Sequence, residues 1–368
     1  MTFSLDDLRR WPDVEAPNLV AVDATDRLLL DTAAEAIREY PNDVLVIDDN
    51  YGALTLGAIA LGARGVRVHQ DSIVAERALA ANAGAMASEY RHVDLDDAEA
   101  LASVRVVLWQ LPRSLDLVED IAGLVASAAS SHVLVYAGGR IKHMTVRMNE
   151  MISGHFERLD VLHARQKSRV LVASAPARIR NRDEPPHIHS ESGIDLTSRP
   201  GVFAGGLLDI GTRALLDVLE RAMPTATRAV DLGCGSGILA LTLARDRPAI
   251  EVTATDVSAR AVSATAFNAR LNDLTNVAAL QDDAGASIPD ASTNLVLLNP
   301  PFHSGSTVHT GIASKLFAAA ARILTPGGEL WTVYNSHLGY RPELERTVGP
   351  TTEVSRNAKF TVTRSIRR

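Results

Sequence analysis

The residues with the clearest chemical potential are Asn299, Pro300, Pro301 and Phe302, which follow the apolar run LVLL at 295–298. A side-chain amide oxygen and a backbone carbonyl can each accept one N–H of a planar amine. Asn299 would supply the first acceptor and the carbonyl of Pro300 the second, because two successive prolines make a stiff turn with exposed carbonyls. Phe302 would offer a ring face on which a base can stack. The tetrad therefore predicts a site that holds and modifies a nitrogen on a flat, conjugated group.

A glycine-rich turn lies upstream, between a predicted strand at 227–232 and a predicted helix at 238–245. Its sequence, DLGCGSG, supplies Asp231, Gly233, Gly235 and Gly237. Glycines let the backbone approach a ligand closely, and the following helix N-terminus offers free N–H groups. Strand, turn and helix in this order are the context of a nucleotide-type cofactor site. The GxGxG spacing differs from the GxGxxG of dinucleotide enzymes and favours S-adenosylmethionine, which has no pyrophosphate.

Further acidic residues stand where the same cofactor would need them. Asp256 ends the second predicted strand and is placed to accept both ribose hydroxyls. Asp283 follows the third predicted strand and could accept from the adenine amino group, although a solvated turn explains it equally well. Before the first strand, the segment 203–216 contains Asp209 and Gly211 ahead of an apolar helix. This segment could close over the methionine end of the cofactor.

The first half of the chain repeats the arrangement without its chemistry. After a predicted strand at 44–47, only Gly52 remains of the glycine triplet, Gln70 stands near the position of the ribose acid, and QLPR at 110–113 replaces NPPF. The alternative is that any two α/β domains share such a strand–helix rhythm. We predict an α/β protein with two tandem Rossmann-like folds, the N-terminal one degenerate. The predicted bounds are 1–180 for the silent domain, 181–200 for a linker and 201–368 for the catalytic domain.

Charge is distributed unevenly along the chain, whose formal net charge is -7. Residues 1–139 carry 22 acids against 10 arginines, whereas residues 140–182 carry 10 Lys or Arg against 3 acids. A basic stripe of this kind could bind RNA phosphates, and the alternative is a solvated helix face and a charged linker. The RNA-binding candidates are Arg140, Lys142, Arg165, Lys167, Arg169, Arg178 and Arg180.

Composition argues against a membrane protein, a secreted protein, a disulfide-bonded protein and a metal-binding protein. No apolar run approaches the roughly 20 residues needed to span a bilayer, and the acidic N-terminus lacks a signal-peptide layout. Cys234 is the single cysteine, so an intrachain disulfide is excluded and we expect a structural thiol. His187 and His189 have no cysteine or clustered carboxylate partner. We expect a cytoplasmic enzyme without a metal or a membrane partner.

Together these motifs resemble the bacterial ribosomal RNA guanine-N2 methyltransferases over essentially the whole chain. The resemblance rests on the doubled fold, DLGCGSG, NPPFH, FAGGLLDIG at 203–211, and the ending NSHLGY…NAKF, which favours the large-subunit (23S) branch over the small-subunit (16S) one. It implies S-adenosylmethionine binding at Gly233, Gly235, Gly237, Asp256 and Asp283, and guanine binding and catalysis at residues 299–302. The N-terminal fold would assist RNA recognition. One departure is the segment 204–207 (AGGL), where the family often has Ser-basic-x-Gly, which leaves Asp209 and Gly211 as the better candidates.

The expected mechanism is a direct methyl transfer to a guanine displaced from its stack, without a covalent enzyme intermediate. His303 could accept the leaving proton, or it could only shape the loop. The alternatives are a 16S guanine-N2, an adenine-N6 or a protein glutamine-N5 methyltransferase, and, from a different class, a non-catalytic RNA-binding assembly factor. The substrate could be naked ribosomal RNA, a ribosomal subunit or an assembly intermediate.

Overall fold

The computed structural model describes residues 3–177, 187–197, 200–202, 208–301 and 307–368. The chain divides into two compact units, Met1–Glu184 and Pro185–Arg368, and the division falls inside the segment predicted to be a linker. Each unit has its own seven-stranded sheet and its own buried apolar clusters. Within the described ranges, no helix has the length and hydropathy needed to cross a membrane.

The first unit alternates strands and helices. Its strands are β1 (Val44–Ile47), β2 (Val66–His69), β3 (Tyr90–His92), β4 (Val106–Gln110), β5 (Leu134–Arg140), β6 (Phe156–Val161) and β7 (Ser168–Pro176). Its helices are α1 (Ala24–Glu39), α2 (Ala53–Ala60), α3 (Ile73–Ala83), α4 (Ala98–Leu101), α5 (Leu115–Ala128) and α6 (Val146–Ser153). The central strand β1 is buried throughout, as continuous apolar runs of parallel sheets are. Helix α1 begins at a capping box formed by Asp23 and Asp26.

The second unit repeats this plan after a short hairpin. Its strands are β8 (Ile188–Glu191), β9 (Ile194–Thr197), β10 (Arg228–Leu232), β11 (Glu251–Asp256), β12 (Val277–Gln281), β13 (Thr293–Leu298), β14 (Leu324–Asn335), β15 (Thr351–Arg356) and β16 (Phe360–Ile366). Its helices are α7 (Ile210–Leu216), α8 (Ile238–Asp246), α9 (Ala259–Leu271), α10 (Thr307–Ile323) and α11 (Arg341–Thr347).

The two large sheets share one strand order. It is β3-β2-β1-β4-β5-β7-β6 in the first unit and β12-β11-β10-β13-β14-β16-β15 in the second. In both, five parallel strands are followed by an antiparallel pair. Leu232 at the end of β10 is in register with Leu298 at the end of β13. Because the carboxyl ends of parallel strands meet at one edge, the loops after β10, β11, β12 and β13 are neighbours there.

The hairpin β8–β9 lies within the segment that the sequence predicted as a linker. Ile194 and Leu196 are buried in one cluster with Ile238, Leu241 and Ala269 of α8 and α9. Part of that segment is therefore an integral layer of the second unit. Its apolar residues are only Ile188, Ile194 and Leu196, and the prolines and charges around this short alternation favoured a linker over a hairpin.

Candidate active site

The glycine loop after β10 is held against the end of β11. The N–H groups of Gly233 and Cys234 both donate to the carbonyl of Thr255, at 2.8 and 2.9 Å. Gly237 begins α8 with a φ of +86°, and a Cβ there would stand 2.7 Å from Cγ2 of Thr265. A glycine is therefore required at this position both by the left-handed backbone and by the close approach of α9.

Asp231 is buried at the base of this loop. One carboxylate oxygen, Oδ2, accepts from the N–H of Ala240 at 3.2 Å, and Oδ1 has no hydrogen-bond partner among the described residues. The pKa of Asp231 is raised to about 7, chiefly by desolvation and to a lesser extent by the charge of Asp256, while the hydrogen bond from Ala240 acts in the opposite direction. A buried acceptor that forms no hydrogen bond destabilises the folded state. The unengaged oxygen of Asp231 therefore fits a site in which a bound ligand supplies the donor.

The acids predicted at the next two strand ends have clear partners. Asp256 accepts from the N–H of Gly235 and of Ser258, both at 3.0 Å, so its carboxylate borders the glycine loop. Asp283 is nearly buried and forms an ion pair of 2.6 Å with Nζ of Lys315 on α10. Lys315 was not predicted as a partner, since it lies 32 positions further along the chain.

Asn299 follows β13 directly and is half-buried. Its Nδ2 donates to Oγ1 of Thr212 at 2.8 Å and to Oδ2 of Asp209 at 3.3 Å. Its Oδ1 is buried and accepts no hydrogen bond from any described residue. The amide is thus anchored through its nitrogen, while its oxygen remains available as an acceptor. Phe302 and His303 lie outside the described residues.

Asp209 is the N-cap of α7 and explains the glycine two positions later. Its Oδ2 accepts from the N–H groups of Gly211 and Thr212 at 3.0 and 3.2 Å. A Cβ on Gly211 would stand 2.9 Å from that oxygen and 3.0 Å from Cε1 of Phe360, a residue of the NAKF motif. The two predicted candidates Asp209 and Gly211 therefore lie beside Asn299. Thr212 was not predicted, because an N-cap acid marks the backbone N–H of the residue three positions later and not its side chain.

The corresponding loop of the first unit, after β1, keeps only one of the three glycines. Asp49 is buried in the loop after β1 and accepts from the N–H groups of Gly52 and Thr55 at 3.1 and 2.7 Å. The side chain of Gln70 donates to the carbonyl of Asp49. Gln110, at the end of β4 where the second unit has Asn299, donates to the carboxylate of Asp26 on α1. Protein donors thus engage the buried carboxylate of Asp49, in keeping with the predicted degeneracy, although Oε1 of Gln70 is buried without a hydrogen-bond partner among the described residues.

An asparagine on the third helix of each unit ties the loop to a preceding segment. In the second unit, Asn268 donates to the carbonyl of Ser236 at 3.0 Å and accepts from the N–H of Thr197 on the hairpin at 3.0 Å. In the first unit, Asn82 donates to the carbonyl of Tyr51 at 2.9 Å and accepts from the N–H of Arg9 at 3.1 Å. We call this pair of hydrogen bonds, one to the loop and one to the preceding segment, the asparagine clamp, and it is present in both units.

Part of the predicted basic stripe gathers at the carboxyl end of β5. The N–H of Ile141 donates to the carbonyl of Lys167 at 3.0 Å, which brings residues 140–142 beside the turn at 165–168. His143 contacts Nη2 of Arg113 at 3.1 Å, and its pKa is lowered by burial first and then by Arg113, Lys142 and Arg140. Arg169 lies on β7, opposite Gly139. Arg178 and Arg180 lie outside the described residues.

Comparison with known proteins agrees with this architecture. Residues 193–364 match the Methyltransferase small domain family, and residues 2–177 match the RLMG N-terminal domain family. A ribosomal RNA large subunit methyltransferase G from Streptomyces avermitilis is 34% identical, with 98% of this chain and 97% of that protein covered. Its namesake from Shewanella amazonensis is 31% identical, with 98% and 96% covered. Among solved structures, the T. thermophilus 16S rRNA N2 methyltransferase RsmC, in complex with AdoMet and guanosine, has a TM-score of 0.77 at 24% identity and covers 94% of this chain and 92% of its own.

The doubled sheet order and the site after β10 to β13 define a methyltransferase with a second, methyltransferase-like unit, and the predicted fold class is confirmed. The full-length relatives settle the family. The chain belongs to the ribosomal RNA large subunit methyltransferase G family. The sequence-based choice of the large-subunit branch over the small-subunit one is confirmed as well.

Proposed function

We propose that this chain transfers a methyl group from S-adenosylmethionine to the exocyclic N2 amino group of a guanine in 23S ribosomal RNA. The observation that carries the proposal is the amide of Asn299, whose nitrogen is anchored and whose Oδ1 is a buried acceptor without a donor among the described residues. An amino group on the base would supply that donor. The family's name, large subunit methyltransferase, supports the substrate class. The reaction would take place in the cytoplasm.

The residues at the strand ends fit the cofactor. A Cβ on Gly233 would meet no described atom within 4 Å, so the loop faces open space there. Gly233, Gly235 and Gly237 would line the cofactor with backbone, Asp256 would accept from the ribose hydroxyls, and Asp283 would accept from the adenine amino group. Asp231 supports this arrangement through its Oδ1, which has no hydrogen-bond partner in the part of the chain that the structure describes. S-adenosylmethionine supplies the methyl group and leaves as S-adenosylhomocysteine.

The catalytic work of the protein is positioning. Asn299 Oδ1 and the carbonyl of Pro300 would each accept one N–H of the guanine amine, which draws the nitrogen lone pair out of conjugation. Pro301 keeps the turn stiff, and Phe302 would stack on the base. The amine proton passes to solvent after the N–C bond has formed. The positive charge of the sulfonium passes to the amine as the bond forms and leaves with the proton. Because no new charge is created in the transition state, orientation contributes more than charge stabilisation.

The basic residues of the first unit would bind the RNA backbone. Backbone hydrogen bonds bring the segment of Arg140 and Lys142 beside the turn of Arg165 and Lys167 at the end of β5. Burial lowers the pKa of His143 there, and the charges of Arg113, Lys142 and Arg140 add to the lowering. Arg169, Arg178 and Arg180 extend the same segment of the sequence. Phosphate contacts position an RNA without reading its sequence, so this surface would supply affinity while Asn299 selects the reacting group.

The test is to supply tritiated S-adenosylmethionine with deproteinised 23S RNA, 16S RNA, assembled subunits and candidate protein substrates. Label in N2-methylguanosine of the 23S RNA is expected, and label confined to N6-methyladenosine, to 16S RNA or to protein glutamine would refute the proposal. Asn299→Ala should lower turnover by about 100-fold or more while cofactor affinity stays within about twofold. The matched control is Gln110→Ala, which removes the amide at the same strand position of the first unit and should leave turnover unchanged.

A further inference from the structure

The amide of Asn299 could in principle face its surroundings in two ways, because rotation by half a turn exchanges its oxygen and its nitrogen. With Oδ1 toward the base, the site accepts from an amine. With Nδ2 toward the base, it would donate to a carbonyl. The choice therefore decides which kind of nucleobase edge the site prefers.

Two side chains on the start of α7 make that choice. Oδ2 of Asp209 already accepts from the N–H groups of Gly211 and Thr212, so this carboxylate can present only an acceptor to the amide 3.3 Å away. Thr212 Oγ1 lies 2.8 Å from Nδ2 of Asn299. If the amide were reversed, its carbonyl would lie against a carboxylate oxygen and both of these hydrogen bonds would be altered or lost. The anchored nitrogen thus leaves the oxygen for the substrate.

We propose that Asp209 and Thr212 are positioning residues that fix the direction of the Asn299 amide and so make the site selective for an amine donor. This inference rests on the proposed function. The sequence predicted that Asp209 contacts the cofactor. The inference gives it a role in orienting the group that contacts the target base. It also assigns a role to Thr212, which no motif singled out.

The first unit provides a comparison within the same chain. There the amide of Gln110 donates to Asp26, which stands three residues after the N-cap Asp23, as Thr212 stands three residues after the N-cap Asp209. The anchor on the first helix is thus present in both units. Only the second unit combines it with the Asn-Pro-Pro turn, so removal of the anchor should affect methylation only there.

The experiment compares Thr212→Val, which keeps the shape but removes the hydroxyl, with Thr212→Ser, which keeps the hydroxyl. Thr212→Val should lower kcat by about 5- to 10-fold, as expected for one hydrogen bond, with cofactor Kd within about twofold of wild type. Thr212→Ser should retain activity within about twofold. In an Asn299→Ala background, Thr212→Val should cause no further loss, because the group that it orients is absent. Asp26→Asn is the matched control in the first unit and should leave kcat unchanged.

A second readout reports the amide direction itself. A 23S RNA fragment that wild type methylates is compared with the same fragment carrying inosine, which lacks the 2-amino group, at the labelled position. Wild type should bind the guanosine fragment several-fold more tightly, and Thr212→Val should reduce this preference to about twofold or less. An unchanged preference together with unchanged kcat would overturn the inference while wild type still labels guanine. An equal loss in Thr212→Ser, or a full additional loss in the Asn299→Ala background, would also overturn it. Absence of label from guanine in wild type would instead overturn the proposed function.

Discussion

Gly233 offers a direct test of whether the loop after β10 faces the cofactor. Gly233 and Gly327 both have a φ of +79°, and a Cβ on either would meet no described atom within 4 Å. Gly233 lies in the candidate cofactor loop, whereas Gly327 lies near the start of β14. Substitution by alanine therefore imposes the same backbone strain at both positions, and only one of them borders the proposed ligand.

The magnitude follows from these two facts. A left-handed conformation costs an L-residue about 1–2 kcal/mol, which should lower the melting temperature of a unit of this size by roughly 2–8 °C in both variants. In Gly233→Ala, the added methyl group also enters the space in which the cofactor would lie against the loop backbone. Loss of that approach should weaken S-adenosylmethionine binding by about tenfold or more, which corresponds to about 1.4 kcal/mol.

The assay is thermal unfolding of each variant together with isothermal titration of S-adenosylmethionine. Equal losses of thermal stability, with weakened binding in Gly233→Ala alone, are expected. If Gly233→Ala bound the cofactor as wild type does, the open space beside Gly233 would not belong to the cofactor site. If Gly327→Ala weakened binding equally, strain alone would explain the loss.

Two further predictions concern charge. The pKa of buried Asp231 is raised to about 7 in the folded chain, so between about pH 4 and pH 7 the folded state holds a proton that the unfolded state has released, and stability falls as pH rises through this window. Asp231→Asn should therefore reduce the loss of melting temperature between pH 5 and pH 8, and an unchanged pH profile would contradict the buried, protonated acid. Replacing Lys142 and Lys167 together by alanine should lessen the salt dependence of RNA binding, with the slope of log K against log salt reduced by roughly 1.4 to 1.8. An unchanged slope in filter-binding titrations would remove both lysines from the RNA surface.

Much of the candidate site could be predicted because its parts follow successive parallel strands. Each strand is marked by a local apolar run, and the topology brings the residues after the strands to one edge. Gly233, Asp256 and Asn299 could therefore be grouped from the sequence alone. Asp283 could not be separated from a solvated turn, because its ion pair with Lys315 depends on how α10 packs.

The parts that could not be predicted depend on contacts between distant segments. Thr212 lies 87 positions from Asn299, and no local pattern links a residue on α7 to a turn after β13. The hairpin β8–β9 was hidden for a related reason, since two of its apolar residues become buried only when α8 and α9 are present. Local sequence patterns indicate where the helices and strands form. Which distant residues contact one another is determined only when these elements pack together.

The asparagine clamp has a practical consequence for dissecting the chain. Asn268 donates to the carbonyl of Ser236 in the glycine loop and accepts from the N–H of Thr197 on the hairpin, so the hairpin helps to fix the amide that holds the loop. The matched family region begins at residue 193, in the turn between the two hairpin strands. A truncated protein that started at residue 193 would keep Thr197 on β9 but lose β8, the strand that pairs with it. A stable second unit should therefore be expressed from a start upstream of Ile188.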